Sequence, residues 1–209
     1  MKIDTSFKPF TFRDVLANYN GQRKVIGRLE NPRHRKIARN YLVHSILEAA
    51  GQYEVIFSPE MTVENPVYEF FHNGVSFHGR EACKGFYQSL VEAKTLVIPT
   101  DQKIAVGDWG FCSEHVNNAY ISADTAKALG LEVTNDDDVF VEHRQTIRMW
   151  PYTPDGRLMG ETLYYAKNAT YSRHSAEHAL DLDEFNETVQ PLIDVTMREY
   201  RENPPHLLE

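Results

Sequence analysis

Two cysteines, Cys83 and Cys112, are too few for a disulfide scaffold and stand in contexts without metal-site spacing. They point to buried free thiols in a reducing compartment. No apolar run approaches the roughly 20 residues that span a bilayer, and Met1 to Phe12 lacks the apolar core of a secretory signal. A cytoplasmic protein with no membrane partner is the expectation. Positive charge is also short: 22 Lys and Arg against 30 Asp and Glu leave a formal net charge of -8. Nucleic acid is thereby disfavoured as a partner, because phosphate binding needs concentrated Lys and Arg. The one basic run, Arg33-His34-Arg35-Lys36, reads most simply as the solvated first turn of a helix. Phosphate-cradling glycine loops, dinucleotide fingerprints and serine-nucleophile elbows are missing. A histidine pair alone would leave metal ligands unfilled. Neither a cofactor nor a metal is expected.

Aromatic residues are plentiful: 11 Tyr, 11 Phe and 2 Trp supply large apolar area and many phenols that need hydrogen-bond partners. At 209 residues the chain suits one domain with extensions. Residues 1–30 read as an arm carrying a short helix from Thr11 to Tyr19, with Asn20-Gly21 as a turn. Residues 31–172 read as the domain, with an insertion at 123–138, and residues 173–209 as a helical extension. The domain opens with a helix from Pro32 to Ala49, capped by Asn31, followed by a short one from Gln52 to Phe57. Met61 to Phe71 and Val75 to His78 form a hairpin around His72-Asn73-Gly74, and Arg80 to Ala93 is amphipathic. The period then changes to two. Leu96–Val106, Trp109–Ser122, Val139–Trp150 and Leu158–Tyr171 read as four long strands, the last two joined at Pro154-Asp155-Gly156. The insertion holds a short helix around Thr125 to Leu129. Leu182 to Arg201 reads as a helix kinked or split by Pro191, serving as a lid or a subunit contact. Helices gathered before a meander give an α+β layer arrangement.

The stretch Met61-Thr62-Val63-Glu64-Asn65-Pro66-Val67 has a familiar look. With the Tyr53–Phe57 turn before it and Phe77-His78-Gly79-Arg80 after it, it resembles the SnoaL-like and ketosteroid-isomerase branches of the nuclear transport factor 2-like superfamily. The resemblance covers roughly Pro32 to Tyr171, the insertion aside. It implies a cone-shaped fold: a curved antiparallel sheet around a pocket, with helices packed on its concave face. That fold hosts isomerases, cyclases, dehydratases, lyases, epoxide hydrolases and proteins without chemistry. The isomerase base, an Asp, falls on Asn65, its helix tyrosine on Tyr41, and its protonated Asp near Gln145. An amide cannot remove a carbon-bound proton, so steroid isomerisation by that route is not expected. Tyr41 and Gln145 retain the ability to donate to a developing oxyanion.

Alternation along a strand divides its side chains between two faces. The more apolar parity of the Val139 strand places His143 and Gln145 inward with Val141, Ile147 and Met149. The inner face of the preceding strand is read as Trp109, Phe111, Ser113, His115, Asn117 and Ala119. His115 and His143 are then placed to approach each other, or a ligand, across the sheet as candidate acid–base groups, since imidazole titrates near neutrality. Tyr41 is the third candidate catalytic group. Asn65, Gln145, Tyr68, His44, Trp109 and Phe111 are candidates for substrate binding. Glu69 is a plausible base only if it points inward, and no inner-face carboxylate is evident. The enzyme reading is a cofactor-independent lyase, dehydratase or isomerase acting on an apolar aromatic or polycyclic molecule. A non-catalytic small-molecule-binding or accessory protein is the alternative, and a scaffold using its outer sheet face is a third reading. A homodimer or higher homo-oligomer is expected, with Val116 and Tyr120 on the outward parity.

Overall fold

A computed structural model describes residues 3–4, 6–93, 95–180 and 182–202. Helix α1, Phe12–Ile26, opens on a capping box in which Thr11 and Asp14 satisfy each other's backbone N–H groups. It continues through Asn20 and Gly21, where the sequence suggests a turn. Val15, Tyr19 and Ile26 are buried along one side, and that burial outweighs the poor helix propensity of an Asn-Gly pair. Helix α2, Pro32–Ala49, begins as expected: the Asn31 side chain accepts from the backbone of Arg33 and His34, and Pro32 occupies the first turn. Most of α2 is buried, so this helix is the axis on which the rest is assembled.

A one-turn helix α3, Tyr53–Ile56, leads to β1, Thr62–Phe70, and β2, Val75–His78. Helix α4, Arg80–Glu92, precedes β3, Leu96–Gly107, and β4, Gly110–Ile121. The insertion carries α5, Ala123–Ala128, followed by β5, Val139–Pro151, β6, Leu158–Tyr165, β7, Thr170–His174, and α6, Leu182–Arg201. The last expected strand, Leu158 to Tyr171, is thus two strands. β6 pairs with the Thr146–Met149 part of β5, and β7 with its Val139–His143 part.

The strands form one curved sheet in the order β2-β1-β6-β5-β4-β3, with β7 on β5. Every pairing is antiparallel except β1 with β6, so the expected antiparallel sheet is mixed. The long chain path through four strands, α4 and α5 returns β6 beside β1 in the same direction, as a parallel pair requires. Register shifts between Thr62 and Val67 and between Thr100 and Lys103 mark bulges that bend the sheet around α2. Asp101, at φ 53, sits inside the second bulge.

Helix α6 packs on α2 and α1, burying Phe185, Val189, Ile193 and Tyr200. Pro191 lies inside α6 without splitting it, because its side of the helix faces water and the missing N–H is not a buried loss. The basic run at the start of α2 is not solvated as expected. Lys36 is 5% exposed and donates from Nζ to the Tyr200 carbonyl at 2.9 Å. Arg33 donates from Nε to the Asp108 carbonyl at 3.1 Å and from Nη1 to that of Thr153 at 3.2 Å. Neighbouring carbonyls turn the run into a staple between α2, two strand turns and α6. No helix among the described residues is long and apolar enough to cross a membrane.

Candidate functional site

The inner faces of α2, β4, β5 and β6 meet around one cation. Arg148 of β5 is 4% exposed, and its Nη1 lies 3.6 Å from Glu48 Oε2 of α2. Its Nε is 3.2 Å from Glu161 Oε1 of β6, an ion-pair distance without hydrogen-bond alignment. Nη2 donates to Asn117 Oδ1 of β4 at 3.4 Å, and Asn117 Nδ2 reaches the Tyr165 hydroxyl at 3.5 Å. Burial pushes the Glu48 carboxyl up to about 7, against the pull of Arg148 and with help from Glu161. Burial also raises Glu161. Burial alone would lower Arg148, but its two carboxylates outweigh that and hold it above the ordinary arginine value.

These groups line a cavity of about 120 Å³, with Phe70, Phe86, Leu90 and Leu163 as apolar wall and the Glu142–Arg144 ion pair as a second charged one. A dry cavity of roughly this size holds one benzene ring.

The expected pairing of His115 with His143 is absent, because the two strands meet out of phase with the assumed parity. Phe111 pairs with Trp150, Ser113 with Arg148, His115 with Thr146 and Asn117 with Arg144. Thr146, Arg148 and Trp150 therefore turn inward and are buried, while Gln145, Ile147 and Met149 are exposed on the outer face. Apolar content misleads on β5, since the charged parity supplies the cavity. His143 lies opposite Asn118, with Nδ1 2.7 Å from Asn118 Oδ1 and Nε2 2.8 Å from Ser172 Oγ. Phe7 of the N-terminal arm covers it, with ring centroids 3.8 Å apart. Burial, with His174 adding, lowers His143 to about 4. His115 does face inward; its Nδ1 is 3.0 Å from Ser113 Oγ, and its Nε2 has no aligned hydrogen-bond partner among the described residues. Burial and then Arg148 lower it to about 3, so the ring is neutral at neutral pH.

Of the other expected residues, Tyr41, His44, Tyr68 and Phe111 gather inside the cone. The Tyr41 ring stacks on Phe111 at 3.9 Å and meets the edge of Trp150 at 5.0 Å. Its hydroxyl feels Ser113 and Gln102 but is aligned for a hydrogen bond with neither, and burial raises it to about 12. His44 Nε2 is 2.8 Å from the Tyr87 hydroxyl, and burial, then Arg148, hold the ring well below its ordinary value. Tyr68 is fully buried with its hydroxyl unpartnered. Three expectations fail on position. Asn65 is exposed within the β1 bulge, Gln145 is exposed on the outer face, and Trp109 is 49% exposed in the β3–β4 turn. Glu69 also points outward.

The sequence reading misses Glu48, Arg148 and Glu161. Glu48 carries a usable signal, one turn beyond His44 and two beyond Tyr41 on the same helix stripe. Arg148 carries none without the β4–β5 register. His174 and His178 stand four residues apart, a spacing the sequence reading overlooks, with ring centroids 6.1 Å apart. Among the described residues no three His, Cys, Asp or Glu side chains gather as a metal site.

No family model matches the sequence, and no curated protein matches it. Solved structures do resemble it. A proposed SnoaL-like polyketide cyclase from Shewanella putrefaciens aligns at a TM-score of 0.46 and 8% identity, over 79% of this chain and 92% of that one. The epoxide hydrolase/cyclase-like enzyme SalBIII aligns at 0.40 and 16% identity, over 75% of this chain and 91% of that one. An NTF-2 like protein of unknown function from Burkholderia xenovorans aligns at 0.41 and 14% identity, over 65% and 87%. These are likenesses of shape and carry no activity across. What this chain itself shows is a curved mixed sheet with helices, in which β1 and β6 pair in parallel.

Proposed function

We propose that the chain is a cofactor-independent lyase, dehydratase or isomerase in which Glu48, rather than a histidine pair, moves the proton. The supporting observation is a buried carboxyl at about 7 beside a fixed guanidinium in a small cavity. A group of this pKa is populated in both forms near neutral pH, which suits general acid–base work. As an acid it would protonate a leaving hydroxyl, and as a base it would take a proton beside a carbonyl. Arg148 would stabilise negative charge developing on the substrate oxygen. The apolar part of the wall, Phe70, Phe86, Leu90 and Leu163, suits a one-ring aromatic or alicyclic alcohol or ketone. Screening such compounds for turnover comes first. Glu48→Gln keeps the shape and removes the proton chemistry, so activity should fall by about 10²–10⁴. A folded Glu48→Gln variant with parental turnover rejects the mechanism. The competing reading is a binding protein without turnover, supported by the saturation of Arg148 by two carboxylates. Ligands that raise the melting temperature without giving product would favour it.

We also propose a homodimer through the outer sheet face, in the reducing cytoplasm suited to free Cys83 and Cys112. Val67, Phe71, Ile147, Met149 and Tyr164 are 37% to 57% exposed, and Phe71 stacks on Tyr164 at 4.7 Å. This patch replaces the expected contact at Val116 and Tyr120. Tyr120 is covered by the arm, its hydroxyl accepting from the Phe10 N–H at 3.2 Å. Sedimentation should give twice the 24.1 kDa chain mass, and Ile147→Lys should return it to one. A strict monomer at micromolar concentration refutes the dimer.

A further inference from the structure

Away from the ionic cavity, a second cleft of about 410 Å³ opens between α1 and the bulge of β3. Its polar groups form a set that the proposed chemistry does not use. Both amide atoms of Gln22, both of Gln102 and the Tyr41 hydroxyl are buried without a hydrogen-bond partner among the described residues. All three side chains line the cleft, and Tyr41 is 1% exposed. Asn18, also on the wall, is already engaged, donating to the Pro99 carbonyl at 2.9 Å. Buried polar groups in folded proteins are almost always paired, so five unpaired ones on three residues that line one cleft, with the Tyr41 hydroxyl beside Gln102, mark a place suited to receive hydrogen bonds.

We propose that this cleft binds a small neutral molecule presenting a hydrogen-bond donor and acceptor side by side, of the cyclic amide class. A carboxamide offers an N–H and a C=O in one plane, and its complement is another amide. Gln22 and Gln102 supply two such faces, and Tyr41 adds a hydroxyl. The walls carry no cation, and Asp101 is exposed at the rim, so an anion would meet repulsion with nothing to offset it. Ala17, Val25, Ile26 and Ile104 supply apolar surface for a ring. The proposal stands apart from the Glu48 chemistry, because its two amides come from α1 and β3 and Glu48 does not line this cleft.

The experiment titrates the full chain with 2-pyridone, a flat cyclic amide, while following the side-chain NH₂ signals of glutamine by NMR. The comparison compounds are 2-methoxypyridine, which lacks the donor, and picolinate, which carries a negative charge. Saturable shifts of the Gln22 and Gln102 signals are expected with 2-pyridone, and about tenfold weaker binding of the other two. Gln22→Met and Gln102→Met should each weaken 2-pyridone by roughly five- to tenfold, the worth of one net hydrogen bond. Gly21→Leu offers a steric test that does not depend on the amides. A Cβ at Gly21 meets nothing within 4 Å, so leucine fits the helix, improves its propensity and fills the cleft. Loss of binding in a folded Gly21→Leu variant supports the site. Three results overturn it: no saturable shift with 2-pyridone, equal affinity for picolinate, or unchanged affinity in both glutamine variants.

Discussion

Two cavities in the cone interior are built from opposite chemistry. At one, Arg148 is held by Glu48, Glu161 and Asn117, so charge is buried in company. At the other, Gln22, Gln102 and Tyr41 are neutral and unpaired within the protein. A lone buried ion is far costlier than a lone buried amide, so only the neutral groups can stand without a protein partner. The charged end is a closed set in which each member depends on the others. Removing a group should therefore destabilise strongly at one end and hardly at all at the other.

The largest effect is expected from Arg148→Met, which leaves two buried carboxylates without a counter-charge. The loss should be about 3–5 kcal/mol near neutral pH, and should shrink in acid as the carboxyls neutralise. Urea unfolding at two pH values measures both; a loss below about 1 kcal/mol would place the cluster in the range of solvent-exposed pairs.

A smaller effect concerns pH. His44, His115 and His143 all titrate in the folded chain below their ordinary 6.5. The unfolded chain then binds more protons below that value. Their stability is present above pH 6.5 and is lost as pH falls towards about 4 for His143 and about 3 for His115. Glu48 has the opposite sign: with a folded value of about 7 against an ordinary 4.5, it favours the folded state at low pH and loses that contribution as pH rises between them. Glu48→Gln should therefore steepen the acid-side loss between pH 4.5 and 6.5, as read from melting temperatures. Unchanged slopes would mean that Glu48 is already ionised throughout.

The smallest effect is expected at the neutral end. Gln102→Met removes two unpaired polar atoms, so stability should stay within about 0.5 kcal/mol or rise. A loss of several kcal/mol would show the amide to be a structural partner and erase the contrast between the two cavities.

Part of this arrangement is legible in the chain. Asn31 and Pro32 place the start of α2, and the change to period two near Leu96 places the strands. Tyr41 and His44 mark the helix face that Glu48 completes. The second half of β5 is the instructive failure. Its apolar parity, Ile147 and Met149, reads as the inner face, yet that parity lies outside and the charged one lines the cavity. Similarly, nothing within Arg33 to Lys36 distinguishes a solvated run from a staple, because its acceptors are carbonyls up to 164 residues away.

Helix caps and strand periods were written locally, since the atoms that satisfy them lie within a turn or along one strand. The face of β5 that turns inward, the burial of Glu48, Arg148 and Glu161 together, and the opening of the amide cleft were decided only by tertiary structure. A strand pattern identifies its buried face when that face is apolar. Here the buried face carries charge, and only the register against β4, with carboxylates arriving from α2 and β6, makes its burial tolerable.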